Sequence, residues 1–166
     1  KQSVNVETEV ERAVLMVNHR FERNIKLEKK LDFQAKVASQ PGRITQVLIQ
    51  LLDNSLEAIE KEIGQQKGVK NGKITLSIEK DPTQERNVLI RVLDTGCGMS
   101  DQELERAKDP FYTNKEIGHG TGLGLTTAQH IVHDLGGHIE INSTQHEGTE
   151  VRVLLPAEQV NTSTEK

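Results

Sequence analysis

Gly118, Gly120, Gly122 and Gly124 alternate through Gly118-His119-Gly120-Thr121-Gly122-Leu123-Gly124-Leu125, and the alternation runs directly into an apolar pattern of helical period. Glycines at that spacing leave successive backbone N–H groups free to converge, and the N-terminus of a following helix adds its positive dipole end. Such a loop is suited to cradling a polyphosphate. The interleaved Leu123 and Leu125 set it apart from a flexible linker. A second stretch, Asp94-Thr95-Gly96-Cys97-Gly98-Met99, follows a strand-like pattern. A carboxylate there can accept a hydrogen bond from the exocyclic amine of adenine. Two glycines one residue apart let backbone approach a flat ring without a Cβ between them, although Asp and Gly after a strand also suit an ordinary turn. The third stretch is Gln50-Leu51-Leu52-Asp53-Asn54-Ser55-Leu56-Glu57-Ala58. Its period turns Leu51, Leu52 and Ala58 toward a core and leaves Asn54 on the neighbouring flank. The carboxamide oxygen of Asn54 is a hard donor suited to Mg²⁺, which favours oxygen ligands beside substrate phosphates; an Asn on a solvated helix face would give the same pattern. Neither G-x-x-x-x-G-K-[ST] nor G-x-G-x-x-G occurs, so the P-loop and the dinucleotide fingerprint are excluded.

The elements that must position these stretches follow from periodicity. Val6, Val10, Ala13, Val14, Val17 and Phe21 recur at helical spacing and predict an amphipathic helix over 4–23. Ile25, Leu27, Leu31 and Phe33 alternate with charged residues, as in a half-buried strand. Pro41 suits the first turn of a second helix carrying Ile44, Val47, Leu48, Leu51, Leu52, Ala58 and Ile59, which should fade near Gly64. Strands are expected around Ile74–Ile78 and Val88–Val92, joined by a turn at Asp81-Pro82. Ser100 and Glu103 form a capping-box pattern opening a short helix. Residues 108–121 lack periodicity, the mark of a lid or binding loop. Leu125, Ala128, Val132 and Leu135 predict a further helix stopped at Gly136-Gly137, and two strands follow, around 139–142 and 151–155. After Pro156 the chain is polar and expected to fray. Helices mixed with mostly hairpin-linked strands predict an α+β, two-layer α/β sandwich with one mixed sheet and its helices on one face.

Composition narrows the function classes. The 166 residues suffice for one domain with its own core. A formal net charge of −4 provides no basic footprint for nucleic acid or an anionic membrane. With 2% aromatic residues the chain lacks the stacking platforms of single-strand binders. Cys97 is the single cysteine, so no internal disulfide can form and a reducing compartment is expected. The sequence opens at Lys1 inside a helical pattern, and is expected to be a fragment of a longer protein.

The order of the three stretches, with Asp109-Pro110-Phe111-Tyr112-Thr113-Asn114-Lys115 between the second and third, resembles the ATPase domain shared by histidine kinases, gyrase, Hsp90 and MutL, with its Bergerat-type ATP-binding fold. Within that superfamily, the Phe-containing box followed by Gly-Thr-Gly-Leu-Gly-Leu is similar to sensor histidine kinases, over nearly the whole chain. The resemblance implies an ATP-binding domain over residues 1–158 with a flexible tail over 159–166. It implies Mg²⁺ on Asn54 and adenine on Asp94, with Gly96 and Gly98 lining the base pocket. Gly120, Thr121, Gly122, Leu123, Gly124 and Leu125 would wrap the phosphates, Phe111 would anchor a lid, and Lys115 would reach the phosphate end. Thr149 would support Asp94 through a water.

Two departures bear on mechanism. Hydrolytic relatives and related serine kinases carry a glutamate four residues before the metal-binding Asn to take a proton from water or serine. Here that residue is Gln50, and an amide cannot act so. A histidine acceptor already presents a neutral lone pair, so Gln50 favours protein histidine kinase activity over a clamp-type ATPase, the alternative alongside a non-catalytic nucleotide-binding domain. Many histidine kinases carry Lys three residues after that Asn, where this chain has Glu57. None of the six histidines lies in a phosphoacceptor motif. The resemblance implies that the acceptor lies on a dimerisation domain of the same protein, a homodimeric bacterial inner-membrane sensor with this domain in the cytoplasm and a response-regulator receiver domain downstream. His130, His133, Asp134 and His138 lie close enough in sequence to consider a metal site.

Overall fold

A computed structural model describes residues 1–21, 24–109 and 124–158. The chain runs β1 (Gln2–Asn5), α1 (Val6–Val17), a 3₁₀ turn (Asn18–Arg20), β2 (Ile25–Lys30), β3 (Lys36–Ser39), α2 (Arg43–Gln65), β4 (Gly72–Lys80), β5 (Asn87–Asp94), α3 (Asp101–Ala107), α4 (Gly124–Asp134), β6 (His138–Thr144) and β7 (Gly148–Pro156). Five strands form one mixed sheet in the order β2-β4-β5-β7-β6. Only β2 and β4 run parallel; the other pairs are antiparallel. The helices α1, α2 and α4 bury their apolar faces against this sheet, with Leu48, Leu52 and Leu56 of α2 fully enclosed beside Leu76, Ile90 and Ala128. The expected α+β sandwich is the one observed.

Several boundaries differ from the periodic reading. The first helix begins at Val6, because Asn5 takes the N-cap and its side chain accepts from the Thr8 N–H at 3.1 Å. Residues before it form β1, antiparallel to β3. Both strands have four residues, too few for alternation to register. Leu31 and Phe33 lie beyond β2, yet still pack against the core. Pro41 stands outside α2, whose N-cap is Gly42 at φ +92. The chain past Pro156 does not fray at once: the Ala157 N–H donates to the Arg86 carbonyl and the Glu158 N–H to the Lys36 carbonyl.

The start of α2 is capped from another helix. Glu9 is 2% exposed on α1. Its carboxylate accepts from the Gly42 N–H at 2.9 Å and from the Thr45 hydroxyl, placing negative charge at the positive end of α2. Glu9→Ala leaves the Gly42 N–H without its acceptor and the Thr45 hydroxyl with only the Glu9 backbone carbonyl at 3.1 Å. It is expected to destabilise the domain by about 2–3 kcal/mol, visible as a lowered midpoint in urea with an unchanged m-value.

Candidate functional site

The site grows from the end of β5. Val88, Ile90 and Val92 are fully buried, and the antiparallel register with β7 sets Asp94 opposite Thr149. Asp94 is 4% exposed. Its Oδ1 accepts from the Gly96 N–H at 2.8 Å and its Oδ2 from the Ser55 hydroxyl at 2.9 Å. A carboxylate offers about four lone-pair positions, so a further donor can be accommodated. Burial pushes its pKa above the usual carboxylate range, while the Gly96 N–H, the Ser55 hydroxyl and the Thr149 backbone pull it back.

The loop after Asp94 is pressed between α2 and the β6–β7 turn. A Cβ on Gly96 would lie 2.6 Å from the Ala58 Cβ and 2.9 Å from Asp94 Oδ1. The Cys97 N–H donates to the Ala58 carbonyl at 3.0 Å. Gly98 has φ +64, and a Cβ there would meet the Thr144 carbonyl oxygen at 2.0 Å. Only glycine fits this approach of backbone to backbone. The Met99 N–H donates to Ser143 Oγ at 2.9 Å, and Ser143 Oγ lies 2.8 Å from Thr149 Oγ1. Ser100 and Glu103 form both halves of the expected capping box on α3. The anticipated base-binding residues Asp94, Gly96, Gly98 and Thr149 are thus assembled in one place.

Asn54 precedes Ser55 on α2 and is half-buried; Gln50, also half-buried, stands one turn earlier on the same flank. Asp53 pairs with Arg20 from the 3₁₀ turn. Gly124 opens the described part of α4, and Leu125 packs against the core. Phe111, Lys115, Gly118, Gly120, Thr121, Gly122 and Leu123 lie outside the described residues. The histidine-rich end of α4 is drawn apart: Asp134 faces Arg43 at 3.4 Å and His138 faces Glu140 at 3.3 Å. Among the described residues no group of three or more His, Cys, Asp or Glu could hold a metal.

Sequence reasoning missed Ser55 and Ser143. Ser55 had a detectable signal, a hydroxyl on the core-facing line of Leu51 and Ile59 that requires a buried acceptor. Ser143 had none, because its partners come from β7 and the loop after β5.

A buried carboxylate with spare acceptor capacity, a loop of glycines pressed on a helix and a flanking carboxamide fit an adenine nucleotide and its hard cation. The fold and site define a class of nucleotide-binding domain. Residues 39–159 match the family described as Histidine kinase-, DNA gyrase B-, and HSP90-like ATPase, and the chain belongs to that family. Its curated relatives include sporulation kinase B of Bacillus subtilis, 28% identical over 148 residues, covering 89% of this chain and 32% of the relative. Sporulation kinase D of the same organism is 36% identical over 113 residues, covering 68% and 20%. The sensor histidine kinase ZraS of Salmonella typhimurium is 32% identical over 121 residues, covering 73% and 23%. The chain therefore spans about a third or less of the length of these relatives. Its fold matches the mycobacterial sensor histidine kinase MprB, with a TM-score of 0.75 at 20% identity over 95% of this chain and 97% of that one. It also matches the catalytic domain of histidine kinase ThkA, with a TM-score of 0.71 at 24% identity over 94% and 98%.

Proposed function

We propose that this chain is the catalytic domain of a protein histidine kinase, formed by residues 1–158, which binds Mg-ATP and transfers the γ-phosphate to a histidine on the dimerisation domain of the same protein. Burial of Asp94 with only part of its acceptor capacity used is the observation that carries the reading. The carboxylate takes the adenine amine, Gly96 and Gly98 line the base, and Thr149 braces Asp94 from β7. Asn54 would hold Mg²⁺, whose charge would offset that of the phosphates when bound; the terminal P–O bond breaks in the transfer. Gly120, Thr121, Gly122, Leu123, Gly124 and Leu125 enclose the phosphates, with Phe111 anchoring a lid and Lys115 at the phosphate end. Gln50 orients but removes no proton, which suits an imidazole that attacks through its own lone pair. A P–N bond forms and ADP leaves. A receiver domain of a response regulator then takes the phosphoryl group, and the parent is a homodimeric sensor of a bacterial inner membrane that presents this domain to the cytoplasm. No helix among the described residues is long and apolar enough to cross a membrane.

The test incubates the chain with its parent dimerisation region, Mg²⁺ and γ-labelled ATP. Acid-labile, base-stable label is expected on the dimerisation region. Asn54→Ala should lower that labelling by about tenfold or more, the worth of one lost contact to a charged group. Label on serine, or rapid phosphate release by the chain alone, would overturn the assignment.

A further inference from the structure

The last turn of α2 carries an acidic residue where a helix least favours one. Glu62 is 4% exposed, near the end whose free carbonyls concentrate negative charge, and no basic residue lies in that turn. A buried carboxylate needs a donor. The donor comes from the β6–β7 turn, where His146 Nδ1 lies 3.2 Å from Glu62 Oε2. Because a carboxylate only accepts, the shared proton belongs to Nδ1. Gln66 Nε2, itself a donor, stands 3.4 Å from the same nitrogen and makes no hydrogen bond to it while Nδ1 carries the proton.

His146 also reaches the base loop. Its backbone N–H donates to the Cys97 carbonyl at 2.6 Å, while the Cys97 N–H is held by Ala58. One residue therefore ties the end of α2 to the middle of Gly96–Gly98. Two positions before His146, at the end of β6, the Thr144 carbonyl sits against Gly98 with no room for a methyl group. A shift of the turn passes to the loop without slack. His146 holds φ +64, and it is the one non-glycine residue with positive φ among those described. A turn serving only to join two strands favours glycine or asparagine at such a position; this one keeps an imidazole and gives it a buried partner.

We propose that Glu62 and His146 are positioning residues for recognition of the adenine amine. Their hydrogen bond clamps the β6–β7 turn onto the Cys97 carbonyl and so holds the Gly96 N–H against Asp94 Oδ1, aiming that carboxylate at the amine. This rests on the reading of Asp94 as the adenine contact. The two ideas separate experimentally.

Dissociation constants for Mg-ATP and Mg-inosine triphosphate, which lacks the exocyclic amine, are measured by calorimetry for the wild type, Asp94→Asn, His146→Gly, His146→Asn and Glu62→Met. Glycine accepts φ +64 and removes only the imidazole; methionine removes the acceptor while filling its volume. His146→Gly and Glu62→Met are each expected to weaken ATP about tenfold, the worth of one hydrogen bond, and to leave inosine triphosphate nearly unchanged. His146→Asn tolerates the left-handed conformation and donates from its carboxamide, so it should restore most of the ATP affinity. Equal losses for both nucleotides would mean general loosening and overturn the clamp. So would unchanged ATP affinity in His146→Gly and Glu62→Met while Asp94→Asn still loses it, an outcome that leaves the adenine contact intact. A wild type that binds neither nucleotide would overturn the adenine reading itself.

Discussion

Asp94→Asn is expected to weaken Mg-ATP binding by about a hundredfold while leaving the unliganded domain as stable as the wild type, or more so, at neutral pH. The two halves have different causes. The carboxylate accepts from Gly96, Ser55 and, in the proposed complex, the adenine amine. Asparagine keeps one acceptor oxygen and turns an NH₂ toward the remaining partners. Ser55 can reverse its hydroxyl to accept, but the adenine amine cannot. Losing a hydrogen bond to a charged acceptor and setting donor against donor costs roughly 3 kcal/mol, about two powers of ten in affinity. The stability half follows from the raised pKa. Burial makes the folded state hold the Asp94 proton more tightly than the unfolded chain does. That contribution to stability is fully present below the ordinary carboxylate pKa and is lost as pH rises through the raised value. At pH 7 the wild type therefore carries an ionised buried group that asparagine removes. Calorimetric titration with Mg-ATP, and thermal melts at pH 8 and at a pH below the ordinary carboxylate pKa, check both parts. The wild type should gain relative to the variant at the lower pH. A variant that binds ATP within about threefold of wild type would sink the assignment of Asp94.

Gly148→Ala should have the largest effect on stability. Gly148 opens β7 at φ +118, and a Cβ there would lie 2.0 Å from the Asp94 carbonyl oxygen and 3.0 Å from its carbonyl carbon. Neither strand can retreat, because β5 lies between β4 and β7, and β7 between β5 and β6. Steric overlap with backbone and a conformation hostile to L side chains together cost about 3–5 kcal/mol. For a domain of this size that lowers the melting temperature by roughly 10 °C. Asp94 is displaced in the same event, so ATP affinity should fall as well. The same substitution at Gly64, inside α2 with no atom within 4 Å of the new Cβ, should raise stability by about 0.5–1 kcal/mol. Differential scanning calorimetry of the two variants separates them, and a Gly148→Ala midpoint within about 2 °C of wild type would contradict the geometry.

Much of this molecule was legible in one dimension. Helical period located α2 with its buried Leu48, Leu51, Leu52 and Ile59, alternation located β4 and β5, and the Ser100–Glu103 spacing gave the capping box. These signals are local: period, cap and turn chemistry act over at most a few residues. Asp94, Gly96 and Gly98 were visible for the same reason, although an acid followed by glycines after a strand equally suits an ordinary turn, and only the order of the three stretches singled them out. Strands as short as β1 and β3 left no trace, because their pairing lies in each other rather than in themselves.

Tertiary structure alone decided who faces whom. Glu9 reads as one more charge on an amphipathic helix until Gly42 and Thr45 arrive from α2. Ser55 becomes a ligand of Asp94 only because α2 crosses the end of β5. Glu62 and His146 meet only because the β6–β7 turn folds back over the base loop. A buried polar group takes whatever partner the packing of apolar faces delivers, and that packing depends on the whole sheet order, with β2 parallel to β4 and β7 between β5 and β6. The sequence by itself determined which residue types were available for nucleotide chemistry; long-range burial, which no local pattern encodes, decided which of them stand together.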